Sequence, residues 1–322
     1  MHDVVVIGGG PIGLACALEA RRAGLNAVVV EKGALLNSFV GYPTNMELFS
    51  TPDLLEIGGY PLVARGYKPI REEALDYYRR VAEAEQLTLR LGERVLRVDG
   101  EAGAFTVVTE RAPLPCRAVV VATGFFDVPN RLGVPGEELP KVSHYYKEPF
   151  AYAGRRVLVV GAKNSAAKAA LECHRHGAEV TLVHRGPEVS ASVKYWIRPN
   201  LLNRIEEGAI QARFNTRVVE IRPESVVLAA PEGEVEIPND FVLALIGYRP
   251  DYPFLEALGL AFEGEARAPA HDPETFESNR LGVFLAGTVL GGLHTSRWFI
   301  ENGRFHAARI AEVLADRLAV AA

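Results

Sequence analysis

Cysteine is scarce in this sequence. Its 322 residues contain three, Cys16, Cys116 and Cys173. None stands in C-x-x-C, and no two are close along the chain, so no local redox dithiol is expected. Cys16 and Cys173 fall in segments with helical periodicity and Cys116 opens a strand, places where a free thiol serves as a small buried hydrophobe. The eight histidines and three cysteines show no metal-ligand spacing, and no metal is expected. Positive charge is not in excess either. The net charge is −5 and the pI near 6.0, which gives no general attraction to nucleic acid or to anionic membranes. No apolar run reaches the length of a bilayer span. The first strand begins at once, without room for a signal peptide, and a cytoplasmic protein is expected. What remains is a composition of 48% hydrophobic and 23% charged residues, as in soluble globular proteins, and enough chain for two domains.

The first stretch carries the strongest pattern. Val4 to Ile7 reads as a short buried strand, and Gly8, Gly10 and Gly13 follow as G-x-G-x-x-G where that strand should turn into a helix. Gly8 permits the tight turn, Gly10 lets a pyrophosphate approach the backbone, and Gly13 lets the helix pack on the strand. The helix N-terminus offers free N–H groups and a positive dipole end. A second strand, Asn26 to Val30, ends at Glu31, whose carboxylate suits a ribose hydroxyl. The alternative is a plain glycine-rich turn with a surface glutamate; strand, turn, helix, strand and acid in this order favour the nucleotide site.

The helix after the turn is expected from about Pro11 to Ala23, closed by Gly24. Lys32 to Pro61 is loop-rich, and its aromatics Phe39, Tyr42 and Phe49 argue against disorder. Arg71 to Glu85 has helical spacing. Strands are expected at Thr88–Leu91, Arg94–Val98, Phe105–Glu110 and Cys116–Ala122, the last entering Ala122-Thr123-Gly124.

A second cycle then begins. Arg156 to Val160 is a buried strand, followed by Gly161-Ala162-Lys163-Asn164-Ser165-Ala166 and a helix to about His176. Sixteen residues separate Gly8 from Gly24 and Gly161 from Gly177, and twenty-three separate Gly8 from Glu31 and Gly161 from His184. The chain thus holds two βαβ nucleotide units of the same dimensions. Where the first ends in Glu31-Lys32, the second ends in His184-Arg185. A cationic pair suits a ribose with a 2′-phosphate, so this unit is expected to take NADPH; the alternative is that both side chains are simply solvated. Lys194 and Arg198 are further candidates for the phosphate. Lys163 replaces the second glycine, which implies a backbone conformation open to any residue. Ala166 is an accepted third residue, and Asn164 can cap the helix.

Beyond Val189 a helix is expected at about Pro199–Glu207, with strands near Ala212–Arg217, Val219–Arg222, Ser225–Ala230 and Phe241–Ile246. Gly247 to Asp251 reads as a turn. A last strand, Leu281–Ala286, enters Gly287-Thr288. Gly291-Gly292-Leu293-His294 follows, and then a helix from about Phe299 to Leu318.

Together these motifs resemble flavoproteins that bind two dinucleotides, in the thioredoxin-reductase-like plan. The resemblance covers nearly the whole chain. It implies an α/β fold of two Rossmann-like three-layer domains: an FAD domain from residues 1–124 and 247–322, with an NADPH domain, 125–246, inserted. Thioredoxin reductases carry C-x-x-C shortly after a segment like Gly133-Val134-Pro135-Gly136-Glu137; here Val142 to Tyr146 holds no thiol. Tyr42 to Thr51, Leu55 to Gly59, Arg71 to Arg80 and Phe299 to Phe305 are similar to the bacillithiol disulfide reductase family, as is Gly287-Thr288 in place of Gly-Asp. The resemblance implies FAD contacts at Gly8, Gly10, Pro11, Ile12, Gly13, Glu31, Lys32, Asn37, Tyr42, Thr44, Phe49, Ser50, Val95, Ala122, Thr123, Gly124, Gly287, Thr288 and Phe299. It implies NADPH contacts at Gly161, Lys163, Asn164, Ser165, Ala166, His184 and Arg185.

The chain departs from that family at Ile12, where a cysteine is usual, so no thiol step is implied there. Cys16, one turn deeper on the same face, is expected to pack between helix and sheet. The implied reaction passes electrons from NADPH through FAD to a small disulfide such as bacillithiol disulfide. Lys68, Arg71 and Arg297 are candidates for an anionic acceptor or are surface charges. His294 and Glu301 are candidate proton donors or make structural hydrogen bonds. Rival readings are a ferredoxin or flavodoxin reductase and a non-enzymatic flavoprotein redox sensor. A flavin monooxygenase fingerprint is not matched around His144. A homodimer is expected from the family.

Overall fold

In the computed structural model, which describes the backbone of residues 1–320, the first valine-rich run becomes a central strand. β1 (His2–Ile7) leads into α1 (Pro11–Arg22) and returns as β2 (Ala27–Glu31). Val4, Val5 and Val6 are completely buried, as a parallel strand covered on both faces requires. Two short helices, α2 (Asn37–Gly41) and α3 (Pro52–Leu55), punctuate the loop-rich stretch. Then come α4 (Arg71–Ala84), β3 (Thr88–Leu91), β4 (Val95–Glu101), β5 (Ala104–Thr109) and β6 (Leu114–Val121).

The second cycle comprises β7 (Val142–Ser143), β8 (Arg156–Val160), α5 (Asn164–Arg175), β9 (Glu179–Val183), α6 (Arg198–Glu206), β10 (Gln211–Arg213), β11 (Arg217–Ile221), β12 (Ser225–Ala230), β13 (Gly233–Pro238) and β14 (Phe241–Ala244). The chain closes with α7 (Tyr252–Ala257), the small strands β15 (Phe262–Glu263) and β16 (Ala268–Pro269), β17 (Val283–Leu285), a 3-10 turn at Gly287–Gly291, and α8 (Ile300–Val320).

Two compact units result. One comprises residues 1–41, 45–128 and 248–322; the other comprises 42–44 and 129–247. In the first, β3-β2-β1-β6 run parallel, β17 joins the second half of β6, and β4-β5 pair antiparallel with its first half. In the second, β10-β9-β8-β14-β7 form the same parallel arrangement beside the antiparallel β11-β12-β13. Each parallel sheet has its own apolar core, with Val5, Val119 and Leu285 in one and Val159, Leu182 and Leu243 in the other.

Three expectations change. The strand read at Ala212–Arg217 stops at Arg213, because Asn215 takes a left-handed φ of 49° and turns the chain into another sheet. Gly233–Pro238, to which no element was assigned, is an edge strand on β12. Past the Gly247–Asp251 turn lies a helix, α7, capped by Asp251, whose carboxylate accepts the Phe254 N–H at 3.3 Å.

Candidate dinucleotide-binding sites

The first glycine turn is built by close approach. Gly8 has φ +115°, and a Cβ there would lie 2.5 Å from the Ala122 carbonyl oxygen; one on Gly13 would lie 1.9 Å from the Gly8 carbonyl oxygen. Gly10 is different. Its φ is −80°, which any residue adopts, and a Cβ would meet nothing within 4 Å. The space in front of it is free for a ligand's pyrophosphate. Pro11 occupies the first turn of α1, whose Ncap, Gly10, offers no side chain.

Glu31 is buried, and its carboxylate is aimed by two backbone donors: the Gly9 N–H at 2.7 Å to Oε2 and the Gly33 N–H at 2.8 Å to Oε1. Each oxygen keeps capacity for a further donor such as a ribose hydroxyl. Lys32 instead pairs with Asp127 at 2.8 Å. Asn37 Oδ1 faces the Ala34 N–H at 3.4 Å. Val95 is buried in the core with Val30 and Val121. The Thr123 hydroxyl oxygen is buried with no hydrogen-bond partner, the state of a polar group awaiting a ligand. Thr288 Oγ1 lies 3.4 Å from a Cβ position on Gly124. Orphan hydroxyl, open cradle and aimed carboxylate together fit a dinucleotide.

Ile12 fills a specific gap. Its branched carbons lie 3.0–3.2 Å from a Cβ position on Gly287, and its Cδ1 lies 3.4 Å from one on Gly303 of α8. The Gly287 N–H donates to His306 Nδ1 at 3.1 Å, and the His306 ring lies tilted against Phe276 and edge-on to Trp298. Burial, helped by His271, pushes His306 down to about 4. It is therefore neutral at pH 7 and accepts through Nδ1. Neither His306 nor Glu93 stood out in the sequence. Glu93 is completely buried, bonded to the Thr109 hydroxyl and to Arg90 Nε at 2.8 Å. Burial opposes its charge, but those donors hold its pKa below the usual range. Its backbone N–H donates to the Glu31 carbonyl at 3.0 Å, which ties this residue to the end of β2.

Other candidates separate. Ser50 donates to Glu301 Oε2 at 2.6 Å. His294, Arg297 and Phe299 are exposed, as is Phe49. Arg71 is no free cation: its guanidinium donates to the Phe39 and Val40 carbonyls and pairs with Glu72. Lys68 is half-buried. Tyr42 and Thr44 belong to the second unit, where the Thr44 N–H donates to the Lys147 carbonyl at 2.9 Å. All three cysteines are free and buried, and burial pushes each thiol up to about 12. Cys16 is a buried residue of α1. No residue group among those described could hold a metal.

The second turn repeats the first. Gly161 has φ +131°, with a Cβ position 2.5 Å from the Leu245 carbonyl oxygen and 3.2 Å from the Ala166 Cβ. Lys163 has φ −102°, ordinary extended backbone, and its side chain is exposed. Asn164 does not cap α5. Lys163 is the Ncap, and the Asn164 side chain accepts the Lys194 N–H at 2.9 Å instead. Ser165 is exposed and Ala166 buried. His184 is half-buried, and burial and the neighbouring Arg185 charge lower its pKa. Arg185 is exposed. Arg198 approaches Glu188 at 3.5 Å, and Lys194 Nζ lies 5.8 Å from the Trp196 ring centre.

Twin parallel sheets, each with a glycine turn, define a two-nucleotide oxidoreductase of the thioredoxin reductase-like fold. A family model described as pyridine nucleotide-disulphide oxidoreductase matches residues 5–287. Bacilliredoxin reductase Bdr of Bacillus subtilis (strain 168) is 41% identical over 318 residues, 98% of each chain. The solved bacillithiol disulfide reductase Bdr (YpdA) from Bacillus cereus is 40% identical, with a TM-score of 0.96 over 98% of this chain and 99% of that one. Thioredoxin reductase of T. acidophilum shares the fold alone, at 20% identity and a TM-score of 0.78 over 99% of both chains. The chain belongs to the pyridine nucleotide-disulphide oxidoreductase family and, within it, to the bacillithiol disulfide reductases. Flavin and nicotinamide cofactors go with that family plan. No described helix is long and apolar enough to cross a membrane.

Proposed function

We propose that this protein carries electrons from NADPH, through FAD, to bacillithiol disulfide. The observation that carries the reading is the end-to-end match, at 40–41% identity, to reductases named for bacillithiol disulfide and bacilliredoxin. Glu31, Gly10 and the orphan Thr123 hydroxyl support FAD at the first turn. The exposed Arg185 at the end of the second unit supports a 2′-phosphate, hence NADPH, at the second turn; burial and the Arg185 charge lower the His184 pKa, so the cation of the expected pair is Arg185.

When bound, the flavin supplies the two-electron relay between nicotinamide and disulfide. One NADPH, one proton and one disulfide give NADP⁺ and two thiols: the hydride brings both electrons and one hydrogen, and solvent supplies the second proton. Thiols raised to about 12 are not nucleophiles at neutral pH. The protein's part is therefore to bind, orient and shield, with no thiol relay of its own. Glu301, held by Ser50, is the carboxylate available to steer a proton near the start of α8.

Anaerobic turnover with bacillithiol disulfide tests this. Two thiols should appear per NADPH consumed, faster than with oxidised thioredoxin, ferredoxin or a quinone. Faster turnover with ferredoxin would replace this reading with a ferredoxin reductase.

A further inference from the structure

The two glycine turns hold the loop after their second strand in the same way, up to a point. In the first unit the Leu36 N–H donates to the Gly9 carbonyl at 3.0 Å; in the second the Ser190 N–H donates to the Ala162 carbonyl at 3.1 Å. Gly9 and Ala162 are equivalent positions in the repeat. The second unit then adds a side-chain tie. Asn164 Oδ1 accepts the Lys194 N–H at 2.9 Å, and Asn164 Nδ2 reaches the Ser192 carbonyl at 3.5 Å. The equivalent of Asn164 in the first turn is Pro11, which has no side-chain donor or acceptor.

The tied segment matters for its charges. It begins just past Arg185, is rooted in the core by Val189 and Val193, and ends at Arg198. Arg198 Nη2 lies 3.4 Å from the Val189 carbonyl oxygen, while its Nε is buried without a partner. The turn itself suffices for an adenosine pyrophosphate, as the first unit's plan indicates. Only a 2′-phosphate has reason to use the cations beyond it. A cation on a loose loop loses part of its binding free energy to the ordering of that loop, and a tied loop does not.

We infer that Asn164 is a positioning residue for nucleotide choice. It clasps the Ser190–Arg198 segment to the second glycine turn and so sets the preference for a 2′-phosphorylated nucleotide. The inference rests on the proposed use of NADPH at this turn.

The test uses the full-length holoprotein and two probes, 2′,5′-ADP and 5′-AMP, which differ only in the 2′-phosphate. Calorimetry on wild type should show much tighter binding of 2′,5′-ADP. N164A should lose about tenfold in affinity for 2′,5′-ADP, the upper range for a lost hydrogen bond, and less than about twofold for 5′-AMP. Trypsin should cut after Lys194 faster in N164A than in wild type. N164D keeps the acceptor for the Lys194 N–H and should restore the protection against trypsin. Equal losses for the two probes in N164A, or unchanged cleavage, overturn the inference and leave the NADPH reading standing. A wild type that binds both probes equally overturns the NADPH reading and this inference with it.

Discussion

Glu31 and His184 occupy one position in two copies of the same unit, and Arg185 stands where the first copy has Lys32. The contrast predicts separable defects. Replacing the exposed Arg185 by alanine should raise KM for NADPH about 10- to 100-fold, as loss of a charge-assisted phosphate contact does, with KM for NADH and the melting temperature nearly unchanged. Steady-state kinetics with both nucleotides checks this. Glu31→Ala acts on the fold as well. It leaves the Gly9 and Gly33 N–H groups without their acceptor, so it should destabilise by about 1–3 kcal/mol and release flavin on gel filtration. His306 gives a pH signature. Its pKa is about 4 in the fold, against an ordinary 6.5, so the unfolded chain takes up its proton first as pH falls. The stability due to the neutral ring is fully present above pH 6.5 and is lost as pH drops towards 4, by about 2 kcal/mol between pH 7 and 5. His306→Gln should flatten that part of the denaturation profile. The sequence did not disclose His306 or Glu93. Each is defined by partners far along the chain, Gly287 for one and Thr109 for the other, and no local period marks such a pairing.

At the scale of elements, the two helices that follow the glycine turns are not equally forgiving. In the first, Gly13 lies against the Gly8 carbonyl with no room for a methyl group. In the second, Ala166 already holds that methyl group. Gly13→Ala should therefore abolish flavin retention, whereas Ala166→Gly should cost only about 1 kcal/mol, the helix propensity of glycine relative to alanine. Absorbance of the purified proteins and urea melts separate the two. α8 packs on α1 where Gly303 faces Ile12, and Gly287 of the 3-10 turn also lies against Ile12, which gives Ile12 a steric role that a smaller side chain would fill less well. The long helices and parallel strands were legible because valine runs, glycine turns and helical spacing coincide there. β13 was not: Glu234, Val235, Glu236 and Ile237 alternate over too short a window, and only pairing with β12 makes them a strand. Nor was the job of Asn164, whose type suits a cap, while its surroundings offered the Lys194 N–H instead.

For the whole molecule, the equal spacing of the two glycine turns foretold the doubled parallel sheet, because a turn and its acid or base must keep a fixed distance for strand, helix and strand to pack. The shape of the two turns was legible where backbone geometry dictates residue type, at Gly8, Gly13 and Gly161. Side chains that depend on tertiary neighbours were not: Arg71 read as a free cation and is bound to the Phe39 and Val40 carbonyls. The three buried thiols carry a consequence at this scale. A variant with all three cysteines replaced by alanine should retain electron transfer to a disulfide, allowing for some loss of stability. The central claim is electron transfer from NADPH, through flavin, to bacillithiol disulfide without a protein dithiol. It is tested most directly by single-turnover reoxidation: the holoprotein is reduced with NADPH without oxygen and mixed with bacillithiol disulfide in a stopped-flow cell. The predicted result is recovery of the oxidised flavin absorbance at a rate that rises with disulfide concentration; recovery no faster than in buffer alone would contradict it.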